Sequence, residues 1–286
     1  LPFKSHPGLA IVYYNEALLK EAGVEPPKAD WTHDDQVTIA KAVQAIAGNR
    51  PVFGYLPSAS WKGILTTIRS FGGELLSADG AKIQLTSDQG MAAMTRLYDF
   101  FQTYKVAPTP EQIIGDANSM WASGNLGMYQ GGTSVVVLRN TIGDKFKWMA
   151  VNNPIGPGGV GGSDFEVDCY AVTAATKNPT EAFEWVKYLT NKDSGILLGV
   201  IGGTIGGRPD CYNSEVLLTD PVRPVFRDIM LKAQDSIIVA NWRQDECEKA
   251  FVQLTQPLWA GQEKPTKDFI GSINAQIQAI MDKPKP

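Results

Sequence analysis

Positive charge is in slight deficit in this chain: 26 Lys and Arg stand against 30 Asp and Glu, a net charge of −4 over 286 residues. No basic field exists to hold nucleic acid or an anionic membrane. Histidine is almost missing. His6 and His33 are not placed as a metal pair, and no HExxH occurs. The three cysteines, Cys169, Cys211 and Cys247, lie far apart and form no CxxC pair. They read as buried thiols, with a disulfide open only in an oxidising compartment. No apolar run reaches the ~18 residues of a membrane span. A GxSxG elbow and a phosphate-binding GxxxxGK[ST] loop are both absent. The glycine-rich "GPGGVGG" lacks the lysine and the strand-to-helix setting of such a loop. Asp34-Asp35 and Asp245-Glu246 are paired carboxylates, but each pair falls in a helical first turn, where it favours the positive helix end. No nucleophile stands beside a base. A catalytic centre, a metal site and a cofactor are therefore not expected.

What is present is ordinary globular material, 43% hydrophobic and 20% charged, long enough for two domains. Leu1 is not a natural start, so the chain is expected to begin after processing or truncation. Asn15 predicts a cap for a helix over 16–21, closed by Gly23. Thr32 with Asp35 predicts a second helix start, running through Val37, Ala40, Val43 and Ile46. "VFGYL" (52–56) reads as a buried strand, "SWKGILTTIRSFGG" as a helix, and Ser87 as the start of another. Glu111 to Ala122 reads as helix. "NNPIGPGGVGGSDFE" is a glycine-rich joint, and "DCYAVTAA" a strand. Asn178-Pro179-Thr180-Glu181 predicts a helix whose buried face is Ala182, Phe183, Val186 and Leu189. "GVIGGTIGGRPD" (199–210) is a second joint, and three further helices follow. Helices alternating with short strands predict an α/β fold.

One stretch asks for a functional reason. "MWASGNLGMYQGGTS" (120–134) sends a short strand, Leu126 to Tyr129, into Gly131-Gly132 and then the hydroxyl pair Thr133-Ser134. Glycines allow close backbone approach, and a helix start offers free amide donors. A plain cap beside a tight turn is the alternative.

Several motifs then carry a family likeness. "AIVYYNEALLKEAGVEPP" followed by "WTHDD" resembles the stretch by which extracellular solute-binding proteins of carbohydrate ABC importers, the maltose-binding-protein-like group, enter their second lobe. "FGGELLSADGAKIQLTSDQGMAAMTRLYDF", "MWASGNLGMYQGG" and "AVTAATKNPTEAFEWVKYLTNKDSG" are similar to the family's later signatures, in the family's order, over roughly residues 1 to 282. The resemblance implies a type II periplasmic-binding-protein-like fold of two α/β lobes around a hinge and cleft. It implies residues 1–8 as a hinge crossing, 9–150 and 209–286 as the second lobe, and 151–208 as a remnant of lobe one. The N-terminal part of that lobe is expected to be missing, with apolar surface left bare on Phe183 or Val186. The glycine-rich joints near 156–162 and 202–207 are expected to pass between lobes.

The implied function is capture of a neutral sugar, oligosaccharide or polyol by hinge closure, and delivery to an ABC permease, outside the cytoplasm and with no catalysis. The implied ligand groups are His6 in the crossing segment, Ser60 and Trp61 after the first strand, Gly132, Thr133 and Ser134, and Asn241, Trp242 and Arg243 at a late helix start. Trp61 and Trp242 would stack on pyranose faces. Glu166 and Asp168 would accept hydroxyls. Family members often carry Trp where this chain has Thr133-Ser134. Binding of a glycerol-phosphate-type ligand is therefore a rival reading. A glycan-acting enzyme and a sensor lobe are rivals of other classes.

Overall fold

The computed structural model describes residues 2–284 apart from 114, 134–137, 203–205 and 233–241. The chain divides into two compact units. Unit 1 holds Leu1–Leu9, Gly132–Thr141 and Phe165–Ile237; unit 2 holds Ala10–Gly131, Ile142–Asp164 and Ile238–Pro286. This division differs from the expected lobes: 132–141 and 209–237 fall in unit 1, and 151–164 in unit 2.

Unit 2 is an α/β body. Its sheet has the strand order β2 (Phe53–Leu56), β3 (Leu126–Gly132), β1 (Pro2–Asn15), β4 (Trp148–Val151). Strands β2 and β3 run parallel, whereas β1 and β4 are antiparallel, Val12 opposite Val151. Residues Leu9 to Tyr14 are all buried. Both faces of β1 are therefore covered here, as its unbroken apolar run requires.

The helices start where the sequence says they should. Asn15 accepts from the amides of Ala17 and Leu18 to open α1 (Glu16–Glu21). Thr32 and Asp35 form a reciprocal capping box on α2 (His33–Ala45), and Ser87 caps α4 (Asp88–Tyr98). Asp34 and Asp35 sit in a first turn as expected. Between α2 and β2 the backbones nearly touch. A Cβ on Gly54 would lie 2.0 Å from the Ala40 carbonyl oxygen, so only glycine fits. α3 (Trp61–Ser70) is buried along almost its whole length and packs with α12 (Gln244–Trp259), which pairs with α13 (Lys267–Met281).

The helix expected over 111–122 is instead a short 3-10 turn, Pro110–Gln112, and a separate α5, Ala117–Ala122. Gly115 between them has φ +78°, and Asp116 caps the second piece by accepting from Ser119 N. A residue in the left-handed region ends a helix, and a fresh cap must restart it.

Unit 1 pairs the first part of β1 with β5 (Phe165–Ala171), antiparallel, from Pro2 opposite Ala171 to Leu9 opposite Phe165. Its helices are α6 (Arg139–Ile142), α7 (Pro179–Leu189), α8 (Lys192–Gly202), α9 (Pro209–Tyr212), α10 (Glu215–Leu218) and α11 (Arg223–Lys232). The strand read as 168–175 thus starts three residues earlier and ends at 171. The second glycine-rich joint is helical as far as Gly202, and Arg223 donates to the Gly199 carbonyl at 2.8 Å. Of the face expected for α7, Val186 is buried, but Phe183 is 42% exposed. Trp185 and Tyr188, stacked 5.7 Å apart, are each 59% exposed. Among the cysteines, Cys211 and Cys247 are buried, Cys169 is exposed, and all three are free thiols.

His33 yields a testable consequence. Its ring packs edge-on against Phe71 at 5.2 Å, and a Cβ on Gly156 would touch it. Burial, then the nearby Arg96 charge, lower its pKa from 6.5 to about 3. The unfolded chain therefore takes up a proton near pH 6.5 that the folded chain refuses until about pH 3. This contribution to stability is complete above pH 6.5 and declines as pH falls through that window, by up to about 1.4 kcal/mol per pH unit. Urea unfolding of His33→Gln at pH 7 and pH 5 should show a smaller loss between the two than the parent does.

Candidate functional site

In an open α/β body, ligand-contacting groups gather at the carboxyl ends of parallel strands. In unit 2 this place is the end of β2 and β3. The loop after β2 carries Ser58 and Ser60. Ser60 caps α3, its Oγ accepting from Gly63 N at 3.2 Å, and its hydroxyl lies 2.9 Å from that of Ser58. The backbone N–H of Ser58 donates to Gln130 Oε1 at 3.2 Å, and Gln130 Nε2 donates to Asn153 Oδ1 at 3.1 Å. Gln130 and Asn153 are 5% and 4% exposed, and the bond between them is buried, whereas the one from Ser58 is part-buried.

Trp61 follows Ser60, but its indole is 2% exposed and meets Phe251 edge-on at 6.0 Å. Trp61 belongs to the buried core cluster of unit 2. The aromatic platform expected here is thus a core residue, because the first turn of α3 points its apolar side at α12. Trp242, by contrast, is 72% exposed at the approach to α12. Arg243 serves that helix start. Its guanidinium pairs with Glu246 at 2.5 Å and donates to the Pro284 carbonyl at 2.6 Å. Glu246 carries a lowered pKa, first through that bond to Arg243 and then through Lys283. Asp245 pairs with Lys249 at 3.0 Å, so both carboxylates of this pair are helix-start groups.

In unit 1 the β1–β5 ribbon brings Gly8 opposite Glu166, and His6 opposite Asp168. Glu166 lies across Gly8, where a Cβ would come within 2.8 Å of its Oε1. Asp168 is exposed, and Glu166 partly so. Residues 166 and 168 share one face of β5. Gly132 is exposed and Thr133 buried. Ser134 and Asn241 lie outside the described residues. Among the described residues no group of three His, Cys, Asp or Glu side chains could hold a metal ion. Among the described residues no helix is long and apolar enough to cross a membrane.

The sequence reading missed Ser58 N–H, Gln130 and Asn153 as a connected set. The signal was there: a glutamine inside an apolar strand, and an asparagine directly after another.

Residues 1–224 match the model of a family described as bacterial extracellular solute-binding protein. The chain belongs to that family. A probable ABC transporter-binding protein of Deinococcus radiodurans is 26% identical over 189 residues, which cover 63% of this chain and 44% of the relative. The matched part is thus less than half the length of that relative. The fold matches an ABC substrate-binding protein of Listeria monocytogenes solved in complex with cycloalternan, with TM-score 0.85 and 17% identity, over 98% of this chain and 71% of that one. A solute-binding protein of Thermotoga lettingae bound with α-D-tagatose matches with TM-score 0.82 and 19% identity, over 98% and 72% of the two chains. The expected α/β, periplasmic-binding-protein-like fold is therefore the fold of this solute-binding protein.

The two tryptophans should separate cleanly in stability. Trp61→Ala should cost about 3–5 kcal/mol, as a large buried aromatic does, whereas Trp242→Ala should change the unfolding midpoint little. Ser60→Ala, which removes an N-cap, should cost about 1 kcal/mol. Denaturant unfolding of the three variants checks all three values.

Proposed function

We propose that this solute-binding protein captures a neutral, hydroxyl-rich solute (a sugar, oligosaccharide or polyol) outside the cytoplasm and presents it to an ABC permease. The observation that carries this reading is the fold match along 98% of the chain to the cycloalternan complex of the Listeria protein. The tagatose complex of the Thermotoga protein supports the same class. Capture is by the closure that the family resemblance implies: a solute that binds one conformation better shifts the population toward it.

The groups offered suit such a solute. Within unit 2 the candidate ligand positions are Ser58, Ser60 and the exposed Trp242. Within unit 1 they are Glu166 and Asp168, acceptors for polyol hydroxyls, with His6, Gly132, Thr133 and Ser134. Asn241 and Arg243 flank Trp242; the bonds of Arg243 to Glu246 and Pro284 give it a helix-start role beside any solute contact. Two carboxylates on β5 weigh against an anionic solute, through like-charge repulsion. The same pair weighs against glycoside hydrolysis. The two acids of a hydrolase flank the scissile bond, whereas residues two apart on one strand lie on one side of any ligand.

Thermal unfolding with α-D-tagatose and with cycloalternan tests the class. A bound solute at 100 times its Kd should stabilise by about 2.7 kcal/mol. Trp242→Ala should weaken binding by at least about 1 kcal/mol without changing the fold. Affinity should be nearly independent of ionic strength, since a neutral solute has no charge for salt to screen. Competition by glycerol phosphates, with affinity falling steeply in salt, would replace the neutral-solute reading with the glycerol-phosphate one.

A further inference from the structure

At or beside three boundaries of unit 2, Ala10, Gly131 and Asp164, runs one line of hydrogen bonds, buried at its centre and part-buried at the Ser58 and Gly162 ends. It begins at the backbone N–H of Ser58, which donates to Gln130 Oε1 at 3.2 Å. Gln130 Nε2 donates to Asn153 Oδ1 at 3.1 Å. The Asn153 amide then uses both its protons, on the Ala10 carbonyl at 3.0 Å and the Gly162 carbonyl at 3.1 Å. Ala10 N in turn donates to Asp164 Oδ1 at 2.5 Å. Asp164 is 1% exposed. Gln130 immediately precedes Gly131, and Gly162 lies two residues before Asp164.

The polarity of this line is forced from both ends. Carbonyls can only accept, so Asn153 must turn its NH2 toward Ala10 and Gly162 and its oxygen toward Gln130. Gln130 must then present its NH2 to Asn153, which leaves its oxygen for the one group that can only donate, the Ser58 N–H. Neither amide can flip without placing like dipoles together in the interior, where an unsatisfied polar group is costly. Two side chains of uncertain orientation in isolation thus become a directional link.

We propose that Gln130 and Asn153 are positioning residues. They set the solute-facing loop 57–60 by way of the chain exits at 10, 131 and 164, so that a shift at one is transmitted to the others. Neither side chain touches the solute. Only the last step, that solute acts on the loop, rests on the solute-binding reading.

Amide hydrogen exchange on the 286-residue chain tests the link without any solute. Gln130→Glu keeps the acceptor for Ser58 N–H but sets a carboxylate against Asn153 Oδ1. Segments 8–13 and 160–166 should then exchange at least about fivefold faster, while 57–62 exchanges as in the parent. Gln130→Met, uncharged and similar in volume, should accelerate all three segments. It carries the test should the glutamate variant fail to fold. Acceleration confined to β3 in both variants would overturn the proposal. In a second arm with α-D-tagatose and cycloalternan, binding should slow exchange at 57–62 and at both exit segments of the parent. In Gln130→Glu it should slow only 57–62. Protection of the exits in that variant equal to the parent's would also overturn the proposal. Should neither sugar protect the parent, the sugar reading fails, and the solute-free arm still decides the link.

Discussion

Everything in this molecule is hung on one strand. β1 has 14 residues, well over twice the usual ~5–6, and it supplies sheet partners in both units. Its residues up to Leu9 pair with β5, and those from Val12 on pair with β4. Because side chains alternate between faces, a slip of one residue would turn every buried group of the strand outward. Leu9 to Tyr14 escape that hazard by being apolar on both sides. Asn15 then ends the strand and caps α1, so a single side chain converts the strand into the next helix.

The buried polar groups follow from the same constraint. A strand shared by two units must be tied down where it passes from one to the other. Apolar packing alone has no direction with which to do that. Asn153 and Asp164 supply the direction by bonding both the carbonyl and the N–H of Ala10. Arg69 completes the anchorage within unit 2. It is 8% exposed, donates to the Ser163 carbonyl at 2.6 Å, and pairs with Glu74 at 3.0 Å. The loop leading to Asp164 is therefore held by side chains from α3 and from the residue after Asn152, not by its own composition.

Much of the local structure was legible in the sequence, and the reason is physical. Caps act within three residues, so Asn15, Thr32 with Asp35, and Ser87 announce their helices wherever the rest of the chain goes. The long apolar helices α12 and α13 are legible by their period. What was not legible depends on partners far along the chain. Trp61 opens a helix after a loop whether its indole faces solvent or Phe251, and 190 positions of sequence separate the two rings. Gly115 breaks the expected 111–122 helix through a single φ of +78°, while glycines at 199 and 202 sit inside α8. The family motifs made the fold and the solute-binding class legible, but gave the site only as positions. The link from Ser58 through Gln130 and Asn153 to Ala10 spans separations of 72, 23 and 143 residues, and no local pattern encodes it.

The glycine-rich stretch at 156–162 shows what close packing of a connection asks of composition. Seven residues with five glycines read as a joint able to absorb dihedral change. In the structure four of the five, all but Gly159, are where backbone meets backbone. A Cβ on Gly162 would lie 2.0 Å from the Thr66 carbonyl oxygen, and one on Gly158 would lie 2.4 Å from Gly72 N. Gly158 N also donates to the Ser70 carbonyl at 2.9 Å. Gly162 needs its glycine twice over, since its φ is +66°. The loop thus lies along the end of α3 at a distance no side chain would allow. Glycine here removes bulk so that a connection can pack closely against α3.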